Sequence, residues 1–167
     1  SIISTDKDKI RVKDYSAISV MSGLKSLYLN SDIIKDIGFI KGLPALEDLT
    51  LEDTAVISLA SLSEMPALRS LTLLGNNKVQ DFGPVGTAPG LTSLSIDKMT
   101  SQPDPDLSSL SSLEKLDIKG FMSISSVRGL SGLKELSIHN CNVDQADALS
   151  SLTGVERLTF YSVWNSQ

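Results

Sequence analysis

One spacing of apolar residues recurs along the chain and limits its possible folds more than any other feature. The pattern is L-x-x-L-x-L, in which the last two apolar residues are two positions apart and so face one side of an extended strand. It occurs seven times in 167 residues and begins at Leu24, Leu46, Leu68, Leu91, Leu113, Leu133 and Val155. The successive first residues are separated by 22, 22, 23, 22, 20 and 22 positions. A period of this length predicts a solenoid, whose repeats bury their apolar side chains against their neighbours.

The segments between these strand patterns have a different spacing. Their apolar residues recur at about every third position, as in Ile37, Ile40 and Leu43, and again in Val56, Leu59, Leu62 and Met65. This spacing matches a 3₁₀ return, and about nine residues are too few for a helix of three turns. Residues 102–106, with two prolines and two aspartates, lack the usual apolar residues. They are therefore predicted to form an extended, exposed loop on the convex side.

The two halves of each repeat, taken together, resemble a known family. The pattern of residues 46–65 and 133–152, at about 22 residues per repeat, resembles the internalin-like class of leucine-rich repeats. The resemblance covers roughly residues 18–161. It implies an α/β solenoid, a right-handed horseshoe with a parallel concave sheet of about seven strands and mainly 3₁₀ or irregular convex returns. It also implies protein recognition through the concave sheet.

The chain departs from this family at one position in each repeat. Three residues after the last apolar residue of the strand, the family usually has an asparagine that satisfies backbone groups between coils. The residues at that position are Asp32, Thr54, Asn76, Met99, Phe121, Cys141 and Val163. Because this asparagine ladder is mostly missing, the coils are expected to be less uniform and the backbone groups to find other partners.

The two ends of the chain depart from the period. Residues 1–23 are interpreted as an N-terminal cap, with a short hairpin between Ile2-Ile3 and Ile10-Val12, and residues 24–167 as the solenoid with an incomplete last coil. After the last strand the sequence is too short for a return, which would leave apolar surface and a strand edge uncovered. A trimmed fragment is the favoured explanation. Trp164 folding back as a plug, and association with another molecule, are the alternatives.

Composition excludes several kinds of function. A net charge of -5 and a pI near 4.8 argue against a nucleic-acid partner, which would need clustered lysine and arginine. No run of apolar residues is long enough to suggest a membrane partner, and no cofactor is expected. The single cysteine, Cys141, permits no internal disulfide. A reducing compartment and a bacterial exterior both remain open, with the bacterial surface or secretion slightly favoured.

Strand alternation places a grid of side chains on the concave face. Three positions of each strand point outward. They lie directly before, between and directly after the last two apolar residues of the pattern. Partner contacts are predicted for Tyr28, Asn30, Asp48, Glu52, Leu74, Asp97, Lys115, Lys119, Glu135, His139, Arg157 and Tyr161. Tyr28, Arg157 and Tyr161 are the first candidates for anchors, because tyrosine and arginine are enriched among energetically dominant interface residues.

Three clusters in this grid suggest chemistry, and each has a simpler explanation. Asp48, Glu52 and Asp97 suggest calcium, but calcium needs six or more converging oxygens and these side chains project in parallel. Lys115, Lys119 and Arg157 suggest an anion site, although intervening acids make a solvated lattice of charges the better interpretation. His139 and Cys141 suggest a base and a nucleophile. Strand alternation separates them, however, because His139 faces outward and Cys141 packs inward.

Three functional hypotheses follow. The first is a non-catalytic recognition module of a bacterial surface or secreted protein, with a protein ligand on the concave face. The second is an intracellular leucine-rich-repeat scaffold or phosphatase-regulatory subunit of the same geometry. The third is an enzyme or the substrate-reading domain of an enzyme, which would need reactive groups outside this solenoid.

Overall fold

A computed structural model describes residues 15–76, 78–88, 90–98 and 102–165. Seven parallel strands form one sheet in sequence order, so that each strand pairs with the strand of the next repeat. The strands are β1 (Ser26–Asn30), β2 (Asp48–Glu52), β3 (Ser70–Leu74), β4 (Ser93–Asp97), β5 (Lys115–Lys119), β6 (Glu135–His139) and β7 (Arg157–Tyr161). The predicted solenoid with a parallel sheet is therefore confirmed.

The register of the sheet aligns the repeated apolar residues in two inward rows. Leu27 pairs with Leu49 and Leu29 with Leu51, and the same pairing continues to β7. These side chains are buried in β1 to β6, where they pack on the apolar residues of the returns. A slip of one residue would turn both rows outward, so burial of the core fixes this register.

The returns are short, as the spacing of apolar residues predicts. The 3₁₀ segments of the described residues are Ser16–Val20, Gly38–Gly42, Ala60–Glu64, Gly83–Thr87, Ile124–Val127 and Ala146–Ser151. None of these segments is long enough for a stable isolated helix. None of the helical segments in the described part of the chain has the length and apolar character needed to cross a membrane.

In the return between β4 and β5, residues 102–107 contain no helical segment. The prediction that this loop is wholly exposed is wrong, because Pro105 is buried and the Asp104 side chain is only 12% exposed. Asp104 is drawn inward by Lys98, whose side chain is 0% exposed and whose Nζ lies 3.1 Å from Asp104 Oδ1. Asp104 Oδ2 also accepts a hydrogen bond of 2.9 Å from the Ser123 backbone N–H. A buried ammonium needs such a partner, since desolvating an unpaired charge is costly.

The inward ladder position is more irregular than in a uniform asparagine ladder. Asn76 does what the family asparagine does, because its Nδ2 donates to the carbonyls of Leu51 at 2.7 Å and Leu74 at 3.0 Å. Its Oδ1 accepts from the Thr54 backbone N–H at 3.3 Å. In the coil after β1 the buried residue is Ser31, one position earlier than predicted, and Asp32 is exposed. The expectation of non-uniform coils holds for this position.

Both ends of the described chain differ from the central coils. Near the start, Tyr15 stacks on Phe39 with a ring separation of 5.8 Å, while the predicted hairpin in residues 1–12 lies outside the described residues. Near the end, the Trp164 backbone pairs with Asn142 and continues the coil. Trp164 does not act as a plug, because Leu158 and Phe160 of β7 remain exposed.

Candidate functional site

The concave grid consists of the outward residues of the seven strands, arranged in three rows. The first row is Ser26, Asp48, Ser70, Ser93, Lys115, Glu135 and Arg157. The middle row is Tyr28, Thr50, Thr72, Ser95, Asp117, Ser137 and Thr159. The third row is Asn30, Glu52, Leu74, Asp97, Lys119, His139 and Tyr161. None of these side chains is buried, so all twelve predicted contact residues lie on one accessible surface.

The size of this surface follows from sheet geometry. Neighbouring strands are about 4.8 Å apart, so the six intervals between seven strands give a strip about 29 Å long. The backbone groups of β2 to β6 are paired with strands on both sides, so a ligand on this face of those strands meets side chains. A strip of this length is suited to a protein surface or an extended peptide.

At the amino-terminal end of the grid, three polar side chains bind one another. Tyr28 Oη donates a short hydrogen bond to Glu52, and Asn30 Nδ2 donates to Tyr28 Oη at 3.2 Å. The bond to Glu52 is the main reason why the pKa of Tyr28 is raised, and the nearby Asp53 carboxylate adds to the effect. Tyr28 therefore remains a neutral hydrogen-bond donor, held in one orientation across β1 and β2.

Toward the carboxyl-terminal end, the charges of the grid are paired. Glu135 bridges two cations, since Lys115 Nζ and Arg157 Nη1 each lie 2.8 Å from its oxygens. The bond from Lys115 is the main reason why the pKa of Glu135 is lowered. Lys119 Nζ lies 2.7 Å from Asp97 Oδ2, and this pairing raises the pKa of the lysine. These contacts favour a lattice of charges rather than an anion site, because each of the three cations is already paired with a carboxylate.

His139 contacts two neighbours on the same face. Its Nε2 lies 3.5 Å from Asp117 Oδ1, and its ring lies 6.0 Å from that of Tyr161. Asp117 was in the predicted grid but not among the twelve chosen residues. The signal that could have selected it is the register, which brings an acid of β5 beside the histidine of β6.

Cys141 lies inside the solenoid and makes the bonds of a ladder residue. Its Sγ accepts from the Phe121 backbone N–H at 3.3 Å and donates to the His139 carbonyl at 3.1 Å. Burial raises the pKa of this thiol, which keeps it protonated and a poor nucleophile. The predicted separation of an outward His139 from an inward Cys141 is thus observed.

Asp53 is a surface residue that strand alternation did not select. It follows the last residue of β2, is exposed, and has a φ of 48°. Its backbone N–H donates to the Leu74 carbonyl at 2.9 Å. Because the strand has ended, the alternating pattern no longer sets the direction of this side chain. The positive φ tolerated by aspartate is the only local signal for such a turn.

No group of three or more histidine, cysteine, aspartate and glutamate side chains in the described ranges is arranged to hold a metal ion. Asp48, Glu52 and Asp97, considered above for calcium, are on two strands separated by β3. Their positions agree with the parallel projection that the sequence predicts. What the grid offers is therefore hydrogen bonds, ion pairs and aromatic contacts to a second molecule.

Comparison with known proteins gives matches at the level of structure. No family model and no curated protein sequence matches the chain. Similar solved structures include an internalin, InlF, from Listeria monocytogenes, with a TM-score of 0.79 and 28% identity over 92% of this chain and 46% of that one. Internalin C2 from the same organism has a TM-score of 0.76 and 19% identity, over 90% of this chain and 68% of that one.

A third similar structure is the functional domain of InlJ from Listeria monocytogenes, which includes a cysteine ladder. Its TM-score is 0.66 at 16% identity, over 82% of this chain and 30% of that one. The chain thus spans less than half the length of the InlF and InlJ structures. The likeness to internalin C2 and InlJ, both well below a quarter identical, concerns the fold alone.

Proposed function

This chain folds as a leucine-rich-repeat protein of the internalin-like class, and we propose that it is a non-catalytic module that binds a protein through its concave grid. The observation that carries the proposal is the continuous outward surface of seven strands, with tyrosines on the first and the last strand. Large side chains at both ends and small serines and threonines between them fit a ligand that lies along the strip. Tyr28, Arg157 and Tyr161 are its proposed anchors.

The placement of the thiol and the imidazole in the described residues supports a binding role rather than a catalytic one. Nucleophilic catalysis needs a nucleophile within hydrogen-bond reach of a base that a third group orients. In the described residues the only thiol is buried, and its Sγ bonds to backbone groups rather than to an imidazole. The imidazole of His139 contacts Asp117 and Tyr161 instead.

The proposed setting is the surface or the exterior of a bacterium, which fits the Listeria proteins that share the fold. The alternative is an intracellular scaffold or phosphatase-regulatory subunit, since the same grid serves either role. Antibody labelling of intact producing cells distinguishes the two. Labelling without permeabilisation, or recovery of the protein from the medium, supports the first setting. Signal only after permeabilisation supports the second.

The binding proposal is tested by affinity capture with three baits. The first is the unaltered chain, and the second carries Tyr28→Ala, Arg157→Ala and Tyr161→Ala. The third carries Ile57→Ala, Met122→Ala and Arg128→Ala at exposed residues outside the grid. A specific protein partner is expected to bind the first and third baits and to lose at least about tenfold in affinity for the second. Equal retention by all three baits would show that the partner does not bind through the concave grid and would overturn the proposal.

A further inference from the structure

We propose that the partner places a positively charged segment with an apolar side chain on the amino-terminal end of the concave grid, an inference that rests on the proposed function. The surface concerned, called the amino-terminal patch, consists of Tyr28, Asp48, Glu52, Asp53 and Leu74. The inference is based on a contrast in charge pairing between the two ends of one sheet face. The partner is a protein segment that carries lysine or arginine.

Among the residues that the structure describes, no lysine or arginine lies within ion-pair distance of the carboxylates of the patch. Asp48 and Asp53 are exposed and Glu52 is partly exposed, and in the described ranges none of the three makes an ion pair. All outward positions of β1 to β3 lack lysine and arginine. Three negative charges on and directly after β2 leave a local field that a cationic side chain of a partner would neutralise.

The other end of the same face gives the contrast. There Lys115, Lys119 and Arg157 are each held by Glu135 or Asp97 at 2.7 to 2.8 Å. A partner that contacts this end meets charges already compensated within the chain, and little net attraction is available. The uncompensated charge of the concave face is therefore concentrated at β2, and electrostatic selection of a partner occurs at that end.

Leu74 gives the patch an apolar contact next to the acids. It is the only aliphatic residue in the outward positions of the grid, it is partly exposed, and it pairs in register with Glu52. Thr50 and Thr72 beside it have small side chains, so a ligand can approach the sheet closely there. A partner side chain such as leucine would cover Leu74 while an adjacent cation reaches Glu52.

Glu52 is preorganised for such a contact. The hydroxyl of Tyr28 donates to one of its oxygens, and Asn30 donates in turn to that hydroxyl. A carboxylate has about four acceptor positions on two oxygens, so the phenol leaves most of them available. Holding the carboxylate in place lowers the entropy lost when a lysine or arginine of the partner binds it.

Other kinds of ligand fit the patch less well. Nucleic acid and anionic lipid would be repelled by the uncompensated carboxylates and by the net charge of -5. A divalent cation alone would need several converging oxygens, and no such group is arranged in the described ranges. A cationic protein segment is the remaining class that satisfies the acids and Leu74 together.

The test uses labelled synthetic peptides and fluorescence anisotropy. The probe carries lysine and leucine side chains. One analogue has glutamate in place of lysine, and another has serine in place of leucine. They are titrated with the unaltered chain and with a variant carrying Asp48→Asn, Glu52→Gln and Asp53→Asn, which retains side-chain size and the acceptor for Tyr28. The matched control carries Glu64→Gln, Asp81→Asn and Asp147→Asn, which removes the same charge from exposed residues outside the grid.

We expect the patch variant to bind the lysine and leucine probe about tenfold more weakly, and the control to change affinity less than about twofold. The glutamate analogue should not bind, and affinity for the probe should fall as salt is raised. Leu74→Ser should lower the affinity for the lysine and leucine probe but leave the affinity for the serine analogue unchanged. This double-mutant cycle identifies the apolar contact. Equal losses in both charge variants would mean general attraction to an acidic protein and would overturn the inference.

The two proposals fail separately. If a partner from affinity capture is lost by the anchor variant but retained by the patch variant, the concave face binds it and the charge inference is wrong. If that partner is retained by both variants, the proposed function is wrong as well.

Discussion

Strands β6 and β7 have the same sequence pattern but different surroundings. Leu136 and Ile138 of β6 are 1% and 0% exposed, whereas their partners in register, Leu158 and Phe160 of β7, are 47% and 44% exposed. β6 pairs with strands on both sides, and β7 with β6 alone. The pattern thus sets the direction of a side chain, while the next coil sets its burial.

The largest loss of stability is expected at the buried charge of Lys98, which lies in a central coil with neighbouring coils on both sides. Asp104→Ala leaves the buried Lys98 ammonium without its carboxylate and should lower the free energy of unfolding by about 3 to 5 kcal/mol. Replacing the pair together, with Lys98→Met and Asp104→Leu, should restore a large part of that loss. Chemical denaturation followed by circular dichroism measures each variant.

The exposed pair of Arg128 and Asp147 provides the control for this prediction. Their atoms are 2.9 Å apart, but the side chains are 54% and 70% exposed. Asp147→Ala should have a far smaller effect, because water already solvates both groups. Equal losses for Asp104→Ala and Asp147→Ala would show that the central coils do not exclude water from Lys98.

The next effect compares the two strands directly. Leu136→Ala should lower the free energy of unfolding by about 3 kcal/mol, since it removes a buried side chain and leaves a cavity. Leu158→Ala in β7 should lower it by about 1 kcal/mol, because nearly half of that side chain is in contact with water. Both are measured in urea at one protein concentration. Losses of the same size would mean that another surface covers β7 in solution.

A smaller effect is expected for the hydrogen bonds between coils. Asn76→Ala removes the donors to the carbonyls of Leu51 and Leu74 and should lower the free energy of unfolding by about 2 kcal/mol. Thr54→Val removes only a hydroxyl bond to Asn76 and should have roughly half that effect. Amide hydrogen exchange in β2 and β3 should increase in Asn76→Ala. Unchanged exchange there would contradict a ladder role for Asn76.

The smallest effect concerns Glu135 of β6, which is paired with Lys115 of β5 and Arg157 of β7. The pKa of Glu135 is lowered, chiefly by the bond from Lys115 and also by Arg157, so its ionised form stabilises the fold at neutral pH. That contribution is present above the ordinary pKa of glutamate and is lost as the pH falls through the lowered value. Glu135→Gln should therefore be slightly less stable than the unaltered chain at neutral pH and equal to it in acid. High salt should also reduce the difference.

Glu156→Gln is the control for Glu135→Gln. Glu156 is exposed and makes no ion pair in the described ranges. Thermal unfolding across a pH series should show a difference between Glu135→Gln and this control at neutral pH only. A difference that persists in acid would indicate lost packing instead of lost charge.

Much of the fold was predictable because the same strand and return pattern recurs in each repeat. Every strand begins two residues after the first apolar residue of its pattern, from Ser26 after Leu24 to Arg157 after Val155. The returns follow the spacing of three, as in the 3₁₀ segment Ala60–Glu64 between Leu59 and Met65. The N-terminal cap and the binding role of the grid residues stay predictions.

Other features depended on contacts that no local pattern contains. Lys98 is buried, and Asp104, in a return that looks exposed from its prolines and acids, lies inward and pairs with it. Ser31 is buried where Asp32 was expected to be, and the spacing of the repeat, which is the usual 22 residues here, gave no sign of this shift. The sequence predicted a lattice of charges but did not specify which residues pair. The bridging of Lys115 and Arg157 by Glu135 follows from the register of the sheet.

The sequence by itself determined where the strands lie and which side chains point in or out, because both follow from backbone geometry within a few residues. The incomplete last coil already predicted uncovered apolar surface, but only the tertiary structure decided its extent at Leu158 and Phe160, and that Glu135 is paired with cations while Glu52 is not. Burial and charge pairing both depend on a coil about 4.8 Å away across the sheet. That coil is some twenty residues distant in the chain, beyond the range of local rules.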